Sequence, residues 1–345
     1  MCGHFEFRLT YCLLLAIPPY TILTTTTDRL APVYFFTNIA AVIVVASTGS
    51  DGEKFGLSWR VPLTALAVTT YIPWPDDQIG FFWPVNGVTW SIATMGFFYF
   101  SFPFLAPRLQ RGVRAGQERV AAICLYLFQA TWPLLIGSIF FVLADPGKAT
   151  PMWYWFVRAY PLCRFPVFMM GCLAGKLMIM RRQHTSVKFM CLPSPTMCMK
   201  MSDLCLVIYL SFVVFYTMIS SGVWGLKWLT HQFRLILEVM LPMLFFDWVI
   251  ALSGEETSVT RTFFSSTVMR WVGDISMSFY MVHLLIWEWA VKILNNNVPG
   301  KPEDPPAWLI PVCFPISILL GWLLTICFEK PAQKMLRHRF LIDKE

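Results

Sequence analysis

Charge is the first thing this chain is short of. Of its 345 residues only 14% are Asp, Glu, Lys or Arg, where a soluble domain carries about a quarter. That shortage excludes an ordinary soluble enzyme. It also removes nucleic acid as the reading of the formal net charge of +7, whose meaning depends on where the basic residues fall relative to a membrane. Paired cysteines are missing too. The ten cysteines show no CxxC spacing, and most lie inside apolar runs, where a thiol behaves as a small hydrophobe. Neither a disulfide framework nor a metal site is implied. "MCLPSPTMCMKMSDLC" does interleave methionine with Cys191, Cys198 and Cys205, but at spacing too relaxed for a soft-metal site. No small-residue cleavage site follows the opening "MCGHFEFRLTYCLLLAIPPYTIL"; Pro18, Pro19 and a threonine run do. The start therefore reads as a membrane segment and not as a signal peptide. There is no internal repeat, which argues against a transporter built from inverted halves.

What the chain has in abundance is apolar length. Apolar residues make up 57% and the mean hydropathy is +0.58. A helix needs about 20 largely apolar residues to cross the hydrocarbon core. The runs predict an all-α polytopic transmembrane bundle, an integral multi-pass membrane protein of about ten spans. These lie near 9–23, 30–48, 59–74, 88–107, 120–144, 152–180, 203–221, 232–252, 271–294 and 307–328. Lys and Arg are retained on the cytoplasmic side. With the N-terminus inside, eighteen of them fall on that side, and only Arg29, Lys148, Lys227 and Lys301 fall on the other.

Ionisable groups at membrane depth cost several kcal/mol unless paired or wetted, so they are functional candidates. In "WVGDISMSFYMVHLL", Ser276, Tyr280, His283 and Trp287 stand at i, i+4, i+7 and i+11, on one helix face. His283 falls near mid-bilayer. It is either a hydrogen-bonding link between helices or a histidine poised for proton transfer. In "RAYPLCRFPVFMMGCLAGK", Arg164, Phe168, Gly171 and Gly175 share a face. The glycine pair predicts close helix packing, and Arg164 calls for an anion. Pro161 and Pro166 are expected to break this helix and free backbone groups toward a cavity. In "WPVNGVTWSIATMGFFYFSFPFLAP", Asn86, Trp90 and Ser91 stand at the non-cytoplasmic mouth of a span, while Trp83 reads as an interfacial residue. Arg234 and Glu238 are expected to pair along their own helix; Asp247 needs a partner the sequence does not name.

The order of these motifs resembles the acyltransferase 3 family of membrane proteins, which includes bacterial O-antigen and peptidoglycan O-acetylases and the nematode nose-resistant-to-fluoxetine proteins. The resemblance is carried over roughly residues 80 to 335 by Asn86, Trp90, Ser91, Phe98, Tyr99 and Pro103; by Arg164, Pro166, Phe168, Gly171 and Gly175; by Gly273, Ile275, Ser276, Tyr280 and His283; and by Glu329 and Pro331. It implies transfer of an acyl group, acetyl or longer, from cytoplasmic acyl-CoA as co-substrate, with no bound cofactor. The acceptor is a hydroxyl of a glycan, lipid or small molecule reached through a polar cavity. It implies His283 as a catalytic candidate and Arg164, Ser276, Tyr280, Asn86, Trp90 and Ser91 as cavity or substrate-binding residues. The chain departs from the family pattern in three places. The opening span with its basic residue and catalytic histidine is not found. The arginine pair of the next span is missing, although Arg8 and Pro18 remain. Met95 stands where a glutamate is expected. The expectation is a single domain over 1–345, N-terminally incomplete relative to the family, that transfers acyl groups poorly. The alternative is a catalytically inactive relative acting as a membrane binding or transport protein.

Overall fold

A computed structural model describes residues 19–48, 58, 60–67, 69, 86–114, 116–143, 158–182, 195–221, 230–253, 257–297 and 308–341. Arg8, Pro18, Trp83, Cys191, residues 152–157 and the 295–306 connection fall wholly or mostly outside them. Among the described residues every regular element is helical, as hydrocarbon demands: only a helix satisfies its own backbone groups without water.

In chain order the helices are α1 (Pro19–Thr48), a short α2 (60–65), a 3₁₀ turn (Gly87–Thr89) leading into α3 (Trp90–Gly112), α4 (Glu118–Leu143) and α5 (Pro161–Arg182). There follow α6 (Pro195–Ser220), α7 (Thr230–Leu252), α8 (Val259–Phe264), α9 (Thr267–Asn297), α10 (Leu309–Leu324), a π-helical turn (Thr325–Glu329) and α11 (Lys330–Leu341). Among the described residues five helical stretches are long and apolar enough to cross a membrane.

The structure corrects three expectations. Within the described residues no break separates 19–23 from 30–48: α1 runs for 30 residues straight through "TTTTDRLAP". Polar residues end a hydrophobic run without ending a helix, and at about 1.5 Å per residue α1 reaches about 45 Å, longer than the core is thick. Of the 59–74 span, the described residues form the short α2, which ends in a turn at Ala67 with φ 54°; about 9 Å of helix over 60–65 does not by itself cross a bilayer. Pro161 and Pro166 do not interrupt α5. Pro161 is its first residue, where a missing N–H costs no bond, and Pro166 sits inside an unbroken helix. The local break comes earlier, at Tyr160.

α5 is the centre of one half of the bundle and packs on α3, α4 and α7, with α6 beyond α7. Phe98, Phe102, Phe168 and Cys172 fill the α3–α5 contact, where the Phe98 and Phe168 rings stack at 4.8 Å. Met170, Leu173, Ala174 and Leu177 of α5 meet Ala122 of α4 and Phe246 and Ile250 of α7. In the other half α9 packs on α10 and α1, and α11 packs on α1. The two halves meet along a seam where Val33 and Tyr34 of α1, Val88 and Ile92, and Met281 of α9 pack together.

The ends that carry the 108–119 and 176–182 basic residues are brought to one side. There Lys176 Nζ lies 3.0 Å from Glu118 Oε1 and donates to the Val113 carbonyl at 2.7 Å. Arg119 Nη2 meets Asp247 Oδ1 at 3.2 Å, which supplies the partner the sequence left unnamed. Asp203 Oδ1 receives both the Thr260 N–H at 2.9 Å and its hydroxyl at 2.7 Å, tying α8 to α6.

Candidate functional site

The site is built along the seam, where the 3₁₀ turn, the start of α3, the 158–159 segment, α7 and α9 converge. Asn86 positions the first of these. It is fully buried; its Oδ1 accepts the Val88 N–H at 3.4 Å and caps the turn, and its Nδ2 donates to the Met281 carbonyl of α9 at 3.0 Å. One side chain thus shapes the turn and ties it to α9. The turn then aims the Val88 carbonyl into the seam. Both the Ser91 hydroxyl, at 3.0 Å, and the Tyr280 hydroxyl, at 3.3 Å, donate to it.

His283 follows one turn after Tyr280. Its ring stands 5.6 Å from the Tyr280 ring and stacks on Phe279 at 5.7 Å. Its Nδ1 is 2.7 Å from the Tyr280 carbonyl. A carbonyl only accepts, so Nδ1 carries the proton in this bond, and the neutral imidazole keeps its lone pair on Nε2. That is the tautomer of a base whose free nitrogen points away from its own helix backbone.

The charged part lies beside the hydroxyls. Arg164 Nη2 meets Glu238 Oε2 at 2.5 Å, and its Nε donates to the Arg158 carbonyl at 2.9 Å. Arg158 places its guanidinium 5.6 Å over the Trp90 ring, with Nε 3.9 Å from Glu238 Oε1, and close enough to Tyr280 for its charge to act on the hydroxyl. Thr94 of α3 donates to the Ala159 carbonyl at 2.6 Å and fixes the segment that bears Arg158.

The structure therefore brings Asn86, Trp90, Ser91, Tyr280, His283 and Arg164 to one seam. It corrects what surrounds some of them. The anion that meets Arg164 is a carboxylate of the protein, Glu238. Glu238 turns to α5 and the 158 segment; the Arg234 side chain lies outside the description. Ser276 is buried with its hydroxyl on the Gly273 carbonyl of its own helix at 2.8 Å. Gly171 does not support close packing: a Cβ there meets nothing within 4 Å. Close approach occurs instead at Gly321, where a Cβ falls 2.8 Å from Phe279 Cα.

The sequence reading gave Arg158 no role and set Glu238 only against Arg234. Arg158 and Glu238 complete the polar centre, and the rule that ionisable groups inside spans mark function finds both when applied to every such residue. Glu329, a family motif residue without an assigned contact, is 3% exposed. It accepts from Ser278 at 3.0 Å and Gln333 at 3.0 Å. The π-helical turn that ends on it widens the helix there, a departure common near functional sites.

A family model described as "Acyltransferase domain", Acyl_transf_3, matches residues 7–326. The chain belongs to the acyltransferase 3 family. The match reaches well upstream of residue 80, so the N-terminal helices are part of the family's domain as much as the seam is. No curated protein and no solved structure matches the chain. Membership makes this a membrane acyltransferase in general terms. It also gives the seam its context: a family that handles acyl groups needs polar chemistry among its apolar helices.

Proposed function

We propose that this acyltransferase 3 member moves an acyl group from acyl-CoA to a hydroxyl of a glycan, lipid or small molecule, with His283 as the base. The observation that carries the reading is the Nδ1 bond of His283 to the Tyr280 carbonyl. It leaves the lone pair on Nε2 to accept a proton, with the Tyr280 ring 5.6 Å away. In this mechanism Nε2 takes the acceptor's hydroxyl proton as its oxygen attacks the thioester carbonyl. The tetrahedral intermediate collapses, the carbon–sulfur bond breaks, and the imidazolium returns the proton to the departing thiolate. Tyr280 and Ser91, whose hydroxyls donate to the Val88 carbonyl in the resting site, turn from it to the oxygen where negative charge develops. Asn86 and Trp90 shape the wall they stand on, Ser276 lines α9 below it, and Arg164 fixes Glu238. A general base contributes about 10²–10⁴ in rate.

The test supplies the purified full chain with labelled acetyl-CoA and longer acyl-CoAs, each with sugar, lipid and small-alcohol acceptors. Transfer that drops by at least two orders of magnitude in His283→Ala, with the variant still folded, is expected. Turnover unchanged in His283→Ala removes the histidine from the chemistry. No transfer from any donor, with acyl-CoA bound, favours the non-catalytic alternative.

A further inference from the structure

We infer that the corner where α3 turns into α4 binds an anionic phospholipid, with Phe100 and Phe104 against its acyl chains and Arg108, Arg111 and Arg114 on its phosphate. The register of α3 supplies the first half of this. Phe100, Phe104, Arg108 and Arg111 stand at i, i+4, i+8 and i+11 and share one face. All four are exposed, the two rings at 72% and 58%, and the rings lie 6.0 Å apart. One ribbon thus runs from bare aromatic surface to guanidinium within about 17 Å of helix. A water-soluble phosphate meets only its cationic end; a phospholipid matches both. Arg108 lies along the ribbon, with Nη1 donating to the Phe104 carbonyl at 3.0 Å, which occupies one of its five N–H donors.

Charge supplies the second half. Arg119 meets Asp247 and Lys176 meets Glu118, so both of those carboxylates are already neutralised. Arg111 and Arg114 are exposed and have no partner among the described residues. Guanidiniums gathered at a membrane surface attract phosphate. The turn that presents them is held in place. Lys176 Nζ donates to the Val113 carbonyl at 2.7 Å, Glu118 Oε2 accepts the Gly116 N–H at 2.8 Å, and the Gln117 N–H reaches the Arg114 carbonyl at 3.0 Å. A turn fixed beforehand lowers the ordering cost of binding. The distribution of basic residues assigns this corner to the cytoplasmic leaflet, where anionic lipids give the surface its negative potential.

A photoactivatable phosphatidylglycerol, cross-linked to the purified full chain and read by peptide mass mapping, locates the site on the unaltered protein. Label is expected on the 100–114 segment; label elsewhere with none there overturns the inference. Native mass spectrometry then compares three probes. Phosphatidylglycerol is anionic, phosphatidylcholine carries a phosphate without net charge, and CoA carries phosphates without lipid chains. Phosphatidylglycerol should bind more tightly than phosphatidylcholine. Arg108→Gln, Arg111→Gln and Arg114→Gln should each weaken it about fivefold. Changing all three to lysine preserves the basic count that orients the chain and should keep most of the preference. Phe100→Ala with Phe104→Ala should weaken phosphatidylglycerol binding too. Equal binding of the two lipids, or a preference untouched by the glutamine variants, overturns the inference. CoA that displaces phosphatidylglycerol, depends on the same arginines and ignores the phenylalanine pair would mark a soluble-phosphate site and overturn the lipid assignment. None of these readouts requires acyl transfer, so the transferase reading stands or falls separately.

Discussion

Replacing Gly321 with alanine adds one carbon where α10 passes close to α9. The new Cβ lies 2.8 Å from both Cα and N of Phe279 and 3.1 Å from its Cβ. Carbon atoms pack best at about 3.5–4.0 Å, so α10 must retreat from α9 by about 1 Å. The obstructing atoms are backbone, so no rotamer change relieves them. Overpacking of this kind costs about 1–3 kcal/mol, against which alanine's better helix propensity returns about 1 kcal/mol. Gly171→Ala is the matched control. It makes the same chemical change in a helix, but its Cβ meets nothing within 4 Å, so only the propensity gain remains. Thermal unfolding in one detergent should therefore place Gly321→Ala below the parent and Gly171→Ala at or slightly above it. Phe279 stacks on His283, so Gly321→Ala should also lower transfer more than its stability loss explains. Equal melting temperatures for the two variants would refute the packing argument.

Two further outcomes follow from charges the bundle has paired. Glu238→Leu strands Arg164 and Arg158 together and should cost about 1–3 kcal/mol, less than a fully buried pair because the partners are 12% and 23% exposed. Adding Arg164→Leu should recover part of that loss; a double variant no better than the single, by chemical denaturation, would show that the pair is not the cause. Lys176→Met and Glu118→Gln should each destabilise and their effects should fall short of additivity, with a coupling of about 1–3 kcal/mol. Full additivity in that cycle would mean the 3.0 Å contact is not made in the membrane.

The helices were legible because hydrocarbon leaves the backbone one solution. The run expected at 120–144 is a helix at Glu118–Leu143, and that at 232–252 is one at Thr230–Leu252. Hydropathy misled where composition and backbone part company. The threonine–aspartate–arginine stretch of α1 is polar yet helical, and the apolar 60–65 stretch stops at Ala67 because the chain there turns into left-handed φ. The site was half legible. Periodicity placed Tyr280 and His283 on one face, as the structure has them. It could not say which helix that face meets, because partners such as Arg164 and Glu238 are 74 residues apart and Arg119 and Asp247 are 128 apart. Spacing along one helix fixes direction; only packing supplies the neighbour. The same limit applies to Glu238: the sequence offered it a weak i, i+4 partner in Arg234, and could not show the two guanidiniums across the interface.

Tyr280→Phe separates holding the seam together from working in it. The hydroxyl donates to the Val88 carbonyl at 3.3 Å, a long bond, and Ser91 serves that same carbonyl at 3.0 Å. Removing the phenolic oxygen therefore strands no acceptor, and the ring, packed against the Val88, Ile92 and Met281 cluster, keeps its apolar contacts. An unsatisfied buried group would cost about 1–3 kcal/mol, but a bond removed with its partner still served costs far less. Stability should thus change by under about 1 kcal/mol. Activity should respond quite differently. If the hydroxyl faces charge developing on the thioester oxygen, its loss removes a donor that acts in the transition state, a class of deletion that costs about 10²–10³ in rate. The loss should appear in kcat with KM for acyl-CoA little changed. Measured together on one preparation, a melting temperature near the parent and a kcat lower by about two orders of magnitude would mark Tyr280 as part of the chemistry. A variant that melts well below the parent would make the hydroxyl a structural link. One that melts and turns over like the parent would remove it from the reaction altogether.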